Sequence, residues 1–112
     1  MTYEDIGKLL YQNEMQIHED EIDRTMVDIE FYSPLGEDFI FSLTGIKTPD
    51  DFVDRFRDYA ESFDAEEHAA NYIQMRGTRG IPDSITALIE DADAIAETLT
   101  SVARQLEELR RN

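Results

Sequence analysis

The C-terminal third of the chain carries apolar residues at alternating steps of three and four without a break: Ile85, Leu88, Ala92, Ile95, Leu99, Val102, Leu106 and Leu109. That spacing lays all of them along one stripe of an α-helix. Gly80, Pro82 and Asp83 supply stop and start signals ahead of it and predict a helix over about residues 84–110. At 1.5 Å per residue this helix is about 39 Å long, whereas a globule of this chain length has a diameter of about 34 Å. One helix therefore spans the fold, and the rest of the structure has to cover its stripe. The cover is either the same chain or a second copy in a coiled coil. Ile89, Ala96 and Ala103 widen the stripe, and the flanks lack alternating Glu and Lys, so the pattern favours a core helix over a dimer seam.

Two further helices announce themselves by their starts. Thr48-Pro49-Asp50-Asp51 offers a capping hydroxyl, a proline where a missing N–H costs nothing, and two carboxylates at the positive end of the helix dipole. Downstream, Phe52, Phe56, Tyr59, Ala60 and Phe63 share one face, with Asp50, Asp54, Asp58 and Glu61 on the other. Asp64 is a second N-cap with Glu67 three residues on, opening a helix that buries Ala69, Tyr72 and Ile73 and ends at Gly77. Thr2 caps a short N-terminal helix with Ile6, Leu9 and Leu10 inward, although Gly7 weakens it.

Between these helices lies a strand pattern. Val27, Ile29 and Phe31 alternate with Asp28 and Glu30, and Phe39, Phe41 and Leu43 alternate with Ile40 and Ser42, which predicts a hairpin with the loop Ser33–Asp38. Two strands alone are marginal in water, so the aromatic face has to pack on helices, and Met15 with Ile17 offers a third, weaker strand. The expected fold is a single α+β domain over residues 1–112: a small antiparallel hairpin or three-stranded sheet packed on about four helices, the last one long.

Composition then removes whole classes of function. There is no cysteine, so there is no disulfide, thiol nucleophile or Cys-ligated zinc. No basic segment followed by an apolar run opens the sequence and no stretch is long enough to span a bilayer, so the expectation is a cytoplasmic protein without a membrane partner. With 26 acidic and 10 basic residues the formal net charge is −16, which disfavours direct nucleic-acid binding and anionic membranes alike. The charge is uneven: residues 1–34 carry −7, residues 35–48 carry −1, residues 49–76 carry −5 and residues 77–112 carry −3.

Catalytic signatures are scarce. His18 beside Glu19, Asp20 and Glu21 lacks the alternating ligands and central glycine of a calcium loop, and reads as a solvated acidic turn. His68 has no second ligand at helical spacing and is placed to pack on Phe63 or Tyr72. Arg76-Gly77-Thr78-Arg79-Gly80 has no phosphate-loop lysine; Arg76 and Arg79, with Glu37 and Asp38 of the hairpin loop, are candidate contact residues only. No catalytic residue, metal or cofactor is expected. An enzyme would need a pocket that holds His68 or Arg76 beside carboxylates of shifted pKa.

What remains is the acidity. Asp28 and Glu30 on the hairpin, with Asp50, Asp54, Asp58 and Glu61 on the Thr48 helix, form the candidate partner-binding face. Rigidly held carboxylates approach the charge density of a duplex and attract a basic groove. The chain also resembles, over most of its length from about residue 24, a group of small acidic uncharacterised proteins of plasmids and conjugative elements of gut bacteria. The resemblance rests on Phe31-Tyr32-Ser33-Pro34-Leu35-Gly36-Glu37-Asp38-Phe39, Phe63-Asp64-Ala65-Glu66-Glu67-His68-Ala69 and Arg76-Gly77-Thr78-Arg79-Gly80-Ile81-Pro82. It carries over no site residue, but implies the company of antagonists of restriction or CRISPR nucleases. The leading expectation is thus a non-enzymatic inhibitor, anti-CRISPR or anti-restriction in type, that mimics nucleic-acid charge. The alternative is a small structural or regulatory protein, monomeric or dimeric through the C-terminal helix, whose acidity serves solubility.

Overall fold

The computed structural model describes the backbone of residues 1–76 and 82–112 and the side chains of residues 1–71 and 85–112. The predicted helix end at Gly77, the glycine signal at Gly80 and the side chains of Tyr72, Ile73, Arg76 and Arg79 lie outside the described residues. The elements run α1 (Tyr3–Gln12), β1 (Gln16–Glu19), β2 (Val27–Tyr32), β3 (Asp38–Leu43), α2 (Pro49–Ser62), α3 (Ala65–Arg76) and α4 (Pro82–Arg111). This is the α+β arrangement that the sequence pattern predicts.

Local chemistry sets the starts. Thr2 Oγ1 accepts the Asp5 N–H at 3.2 Å while Asp5 Oδ2 takes the Thr2 N–H at 2.9 Å, a closed capping box on α1. Thr48 and Asp51 repeat the device on α2 at 3.2 and 3.1 Å, and Asp51 Oδ2 also takes the Lys47 N–H at 3.0 Å. Asp64 Oδ1 accepts the Glu67 N–H at 3.1 Å, opening α3 where its sequence signal lies.

The strands form one antiparallel sheet in the order β1-β2-β3. The weak third strand is present, one residue later than its apolar pair suggests: Met15 is buried just ahead of it, and Ile17 pairs with Ile29. Asp38 belongs to β3, opposite Tyr32, so the hairpin loop has five residues, 33–37, and not six. Inside it the Ser33 N–H bonds to Glu37 O at 2.9 Å and the Gly36 N–H to Ser33 O at 2.8 Å. Gly36 turns the chain at φ +75°, a conformation that suits a residue without Cβ.

The inner face of the sheet, Ile29, Phe31, Phe39, Phe41 and Leu43, is buried against helices. Phe41 stacks on Tyr59 of α2 with ring centroids 4.2 Å apart and planes 6° from parallel, and meets Phe56 edge-on. Behind them, Ile95, Leu99, Val102 and Leu106 of α4 close the core together with Ile6 and Leu10 of α1. The stripe of α4 is therefore spent on its own chain: Ala92 to Leu106 is buried, while Ile85, Leu88 and Leu109 at its ends are partly so. The 30-residue α4 is about 45 Å long at 1.5 Å per residue, nearly the full 48 Å of the longest dimension. Among the described residues no helix is long and apolar enough to cross a membrane.

Leu99 has no exposed surface, so Leu99→Ala is expected to lower the unfolding free energy by about 3 kcal/mol. Removal of the α2 cap by Thr48→Ala costs about 1 kcal/mol. Urea denaturation followed by circular dichroism measures both.

Candidate functional site

The strand alternation that buries the aromatic residues turns a second set the other way. Gln16 and His18 of β1, Asp28, Glu30 and Tyr32 of β2, and Asp38, Ile40 and Ser42 of β3 share the face opposite the core. Tyr32 is 65% and Ile40 53% exposed, so this face meets solvent. On it the carboxylates are held in place. His18 Nε2 lies 3.1 Å from Glu30 Oε1, and Ser42 Oγ donates to Asp28 Oδ1 at 2.5 Å. Glu30, whose side chain is only 17% exposed, is hydrogen-bonded by both Asp38 and His18.

Two carboxyls this close do not ionise independently. The bond from Asp38, and then that from His18, hold Glu30 below the usual carboxylate range. Sharing that bond with Glu30, and secondarily desolvation, pushes Asp38 above its own. Within this carboxyl pair, Asp38 is the member that takes up a proton first.

The acids of α2 are arranged differently. Asp54 Oδ1 accepts Arg110 Nη1 at 2.6 Å, and Arg57 Nη1 lies 3.4 Å from the same oxygen. Arg110 Nη2 grips both oxygens of Glu107 at 2.6 and 2.7 Å, and Arg57 bridges to Asp58 at 3.1 Å and Glu107 at 3.5 Å. Arg55 Nη1 stands 4.0 Å from the other Asp58 oxygen. Asp54, Asp58 and Glu107 are in this way matched by three arginines in a network that ties α2 to α4. The hydrogen bond from Arg110 is the main reason that Asp54 titrates below the ordinary aspartate range. Asp50 and Glu61 are exposed near opposite ends of α2.

The six carboxylates singled out by sequence thus divide between two places. Asp28 and Glu30 stand on the outer face of the sheet, whereas α2 packs on its inner face. Asp38, assigned by sequence to a loop, joins the first group because β3 begins with it. Its alternation with Phe39, Ile40 and Phe41 carried that signal. Glu37 is partly buried in the hairpin loop, where its N–H donates to Ser33 Oγ at 3.2 Å. Arg76 and Arg79 lie outside the described side chains.

Two buried polar groups had no sequence signal. Ser33 is 5% and Asp91 7% exposed, and Asp91 Oδ1 accepts the Leu35 N–H at 3.0 Å, pinning the hairpin loop to α4. His68 sits between aromatic rings, 5.5 Å by centroid from both Phe39 and Phe63, which realises the staple across the α3 start. His68, Asp38 and Asp91 border one cavity of about 30 Å³, enough for water but far below the several hundred cubic ångströms of a substrate site. Among the described residues no three His, Asp or Glu side chains converge to hold a metal ion.

No family model matches the chain, and no curated protein or solved structure is significantly similar to it. Function has to be argued from the surface itself.

Two pH-linked outcomes follow from this geometry. Because Asp38 has a raised pKa in the fold, its contribution is present below the unfolded-state pKa of about 3.9 and is lost as pH rises through the folded value. Asp38→Asn is therefore expected to raise the urea midpoint at pH 7 and to leave it unchanged at pH 3. Asp54 has a lowered pKa, so its contribution is present above about pH 3.9 and disappears as pH falls through the folded value. Arg110→Ala is expected to cost about 1 kcal/mol at pH 7, the scale of a solvent-screened pair within a network, and less at pH 3.

Proposed function

We propose that the protein is a non-enzymatic interaction protein whose acidic surface occupies the basic groove of a nucleic-acid-handling enzyme and excludes nucleic acid by imitating its charge. The observation that carries this reading is the row of carboxylates Asp28, Glu30 and Asp38 on the rigid outer face of the sheet. Asp28 and Glu30, two residues apart on a strand, are spaced by about 6.8 Å, close to two base-pair rises along a phosphate strand. A hydrogen-bonded sheet presents them without the ordering cost of a flexible acidic tail.

The α2 half of the acidic surface contributes less, because Asp54 and Asp58 are already matched by arginines and a partner's cation would have to displace these. That same network favours the rival reading for α2, that its acids serve structure and solubility. A dimer through the α4 stripe is disfavoured by the burial of Leu99 and its neighbours within the chain. The resemblance to proteins of mobile elements suggests a host restriction or CRISPR nuclease as the target.

The triple variant Asp28→Asn, Glu30→Gln, Asp38→Asn is expected to fold normally. It should lose at least tenfold in affinity for a basic nuclease recovered from a host lysate at low salt, with a shallower dependence of binding on salt concentration. Neutralising Asp50 and Glu61 should change affinity less than twofold. Equal binding by the triple variant and the native chain sinks the proposal.

A further inference from the structure

In an antiparallel pair, hydrogen-bonded and non-bonded residue pairs alternate. The bond from the Ser33 N–H to Glu37 O fixes the phase, so the bonded pairs of β2 and β3 fall at Phe31–Phe39, Ile29–Phe41 and Val27–Leu43. On the other flank of β2, the Asp20 N–H bonds to Met26 O at 3.3 Å, and the same alternation turns the backbone groups of Asp28 and Glu30 to β1. The backbone N–H and C=O groups of Asp38, Ile40 and Ser42 therefore point away from the sheet along the β3 edge. Among the described residues, none of these groups has a hydrogen-bond partner. The open stretch stops before Thr44, whose carbonyl accepts Arg55 Nε at 3.2 Å.

Proteins commonly blunt such an edge with lysine, proline, a bulge or very few residues. β1, the opposite edge, has only four residues. β3 has six, contains no lysine or proline, and pairs with β2 without a bulge. Its outward side chains Asp38, Ile40 and Ser42 are all exposed, and Ile40 stands at the centre of the edge with exposed Tyr32 diagonal to it on β2.

Charge decides what can pair there. The outer face of the sheet carries Asp28, Glu30 and Asp38 and neither lysine nor arginine; His18 lies on β1, the strand farthest from this edge, against Glu30. Arg55, beyond the end of the open stretch, faces Asp58. A second copy of the chain would bring its own net charge of −16 to the same edge, whereas a cationic strand is attracted to it. We infer that β3 accepts an extended cationic segment of the partner as a fourth, antiparallel strand, with an apolar side chain beside Ile40 and Lys or Arg beside Asp38 and Ser42. This rests on the reading of the outer face as the partner surface, and adds how the partner is held: main-chain bonds along the edge supply affinity, and the carboxylates select the charge.

The capped nonapeptide Lys-Thr-Lys-Thr-Val-Thr-Lys-Thr-Lys, titrated into the full chain and followed by NMR amide hydrogen exchange, tests the pairing. At saturation the Ile40 and Ser42 N–H groups are expected to exchange at least tenfold more slowly, while those of Phe39 and Phe41, already bonded within the hairpin, change little. N-methylation of the central Val, whose N–H faces Ile40, should weaken binding at least tenfold; N-methylation of a neighbouring Thr, whose N–H faces away, should not. Glutamate in place of the lysines should abolish binding. Ile40→Pro removes an N–H that no strand of the chain uses, so it should keep the fold and lose the peptide, whereas Ile40→Val should bind normally. Binding without slowed exchange at Ile40 and Ser42, tolerance of the methylated Val, or equal binding of the glutamate peptide would each overturn the inference. So would slowed exchange that depends on protein concentration alone, the mark of a second copy at the edge. A nuclease released by the triple variant of the acidic face but held equally by Ile40→Pro would overturn this mode of pairing and leave the groove reading in place.

Discussion

A 30-residue helix with an apolar stripe along one side is stable in water only if that stripe is covered. In this protein the cover is assembled from elements that precede the helix in the chain. The aromatic inner face of a three-stranded sheet, the Phe52–Val53–Phe56 side of α2 and the Ile6–Leu10 edge of α1 converge on Ile95, Leu99, Val102 and Leu106. The sheet needs this as much as the helix does, because its inner face of Ile29, Phe31, Phe39, Phe41 and Leu43 would otherwise lie open to water. From this mutual burial comes the asymmetry of the molecule: one face of the sheet is committed to the core, and the other is left to present polar groups on a rigid support.

Electrostatics is managed differently on the two sides. Between α2 and α4, three arginines interleave with Asp54, Asp58 and Glu107, so helices that would otherwise repel are held together. On the outer face of the sheet no arginine intervenes among the described residues; Asp28 and Glu30 rely on Ser42 and His18, and Asp38 shares a proton-accepting bond with Glu30. One region of the acidic surface is compensated from within, while the other remains able to attract external cations. Net charge alone does not distinguish them.

Much of this architecture is legible in the sequence because it is governed by local rules. The stripe of α4, the Thr2, Thr48 and Asp64 caps and the hairpin alternation each stand where propensity and periodicity put them. Val53 was not legible, because α2 is covered on more than one side and its buried arc is wider than its aromatic residues indicate. β1 was only faint: Gln16–Glu19 has a single aliphatic residue, and its pairing is decided by the neighbouring strand. The division of the acidic face depends on Asp54 meeting Arg110, 56 positions away, and on which side of the sheet α2 lands. Local signals encode neither.

The bond from the Leu35 N–H to buried Asp91 couples the stability of the hairpin tip to that of α4. Strand pairing sets the register of β2 and β3 through contacts close in sequence, yet the tip of the hairpin is anchored across 56 residues to α4. A buried carboxylate without that N–H would be costly. Docking of the N-terminal half of α4 and fixation of the hairpin tip are therefore energetically coupled through a contact that is distant in sequence. The loop at the end of the acidic face is thus held in shape both by its own turn bonds and by the last element of the chain.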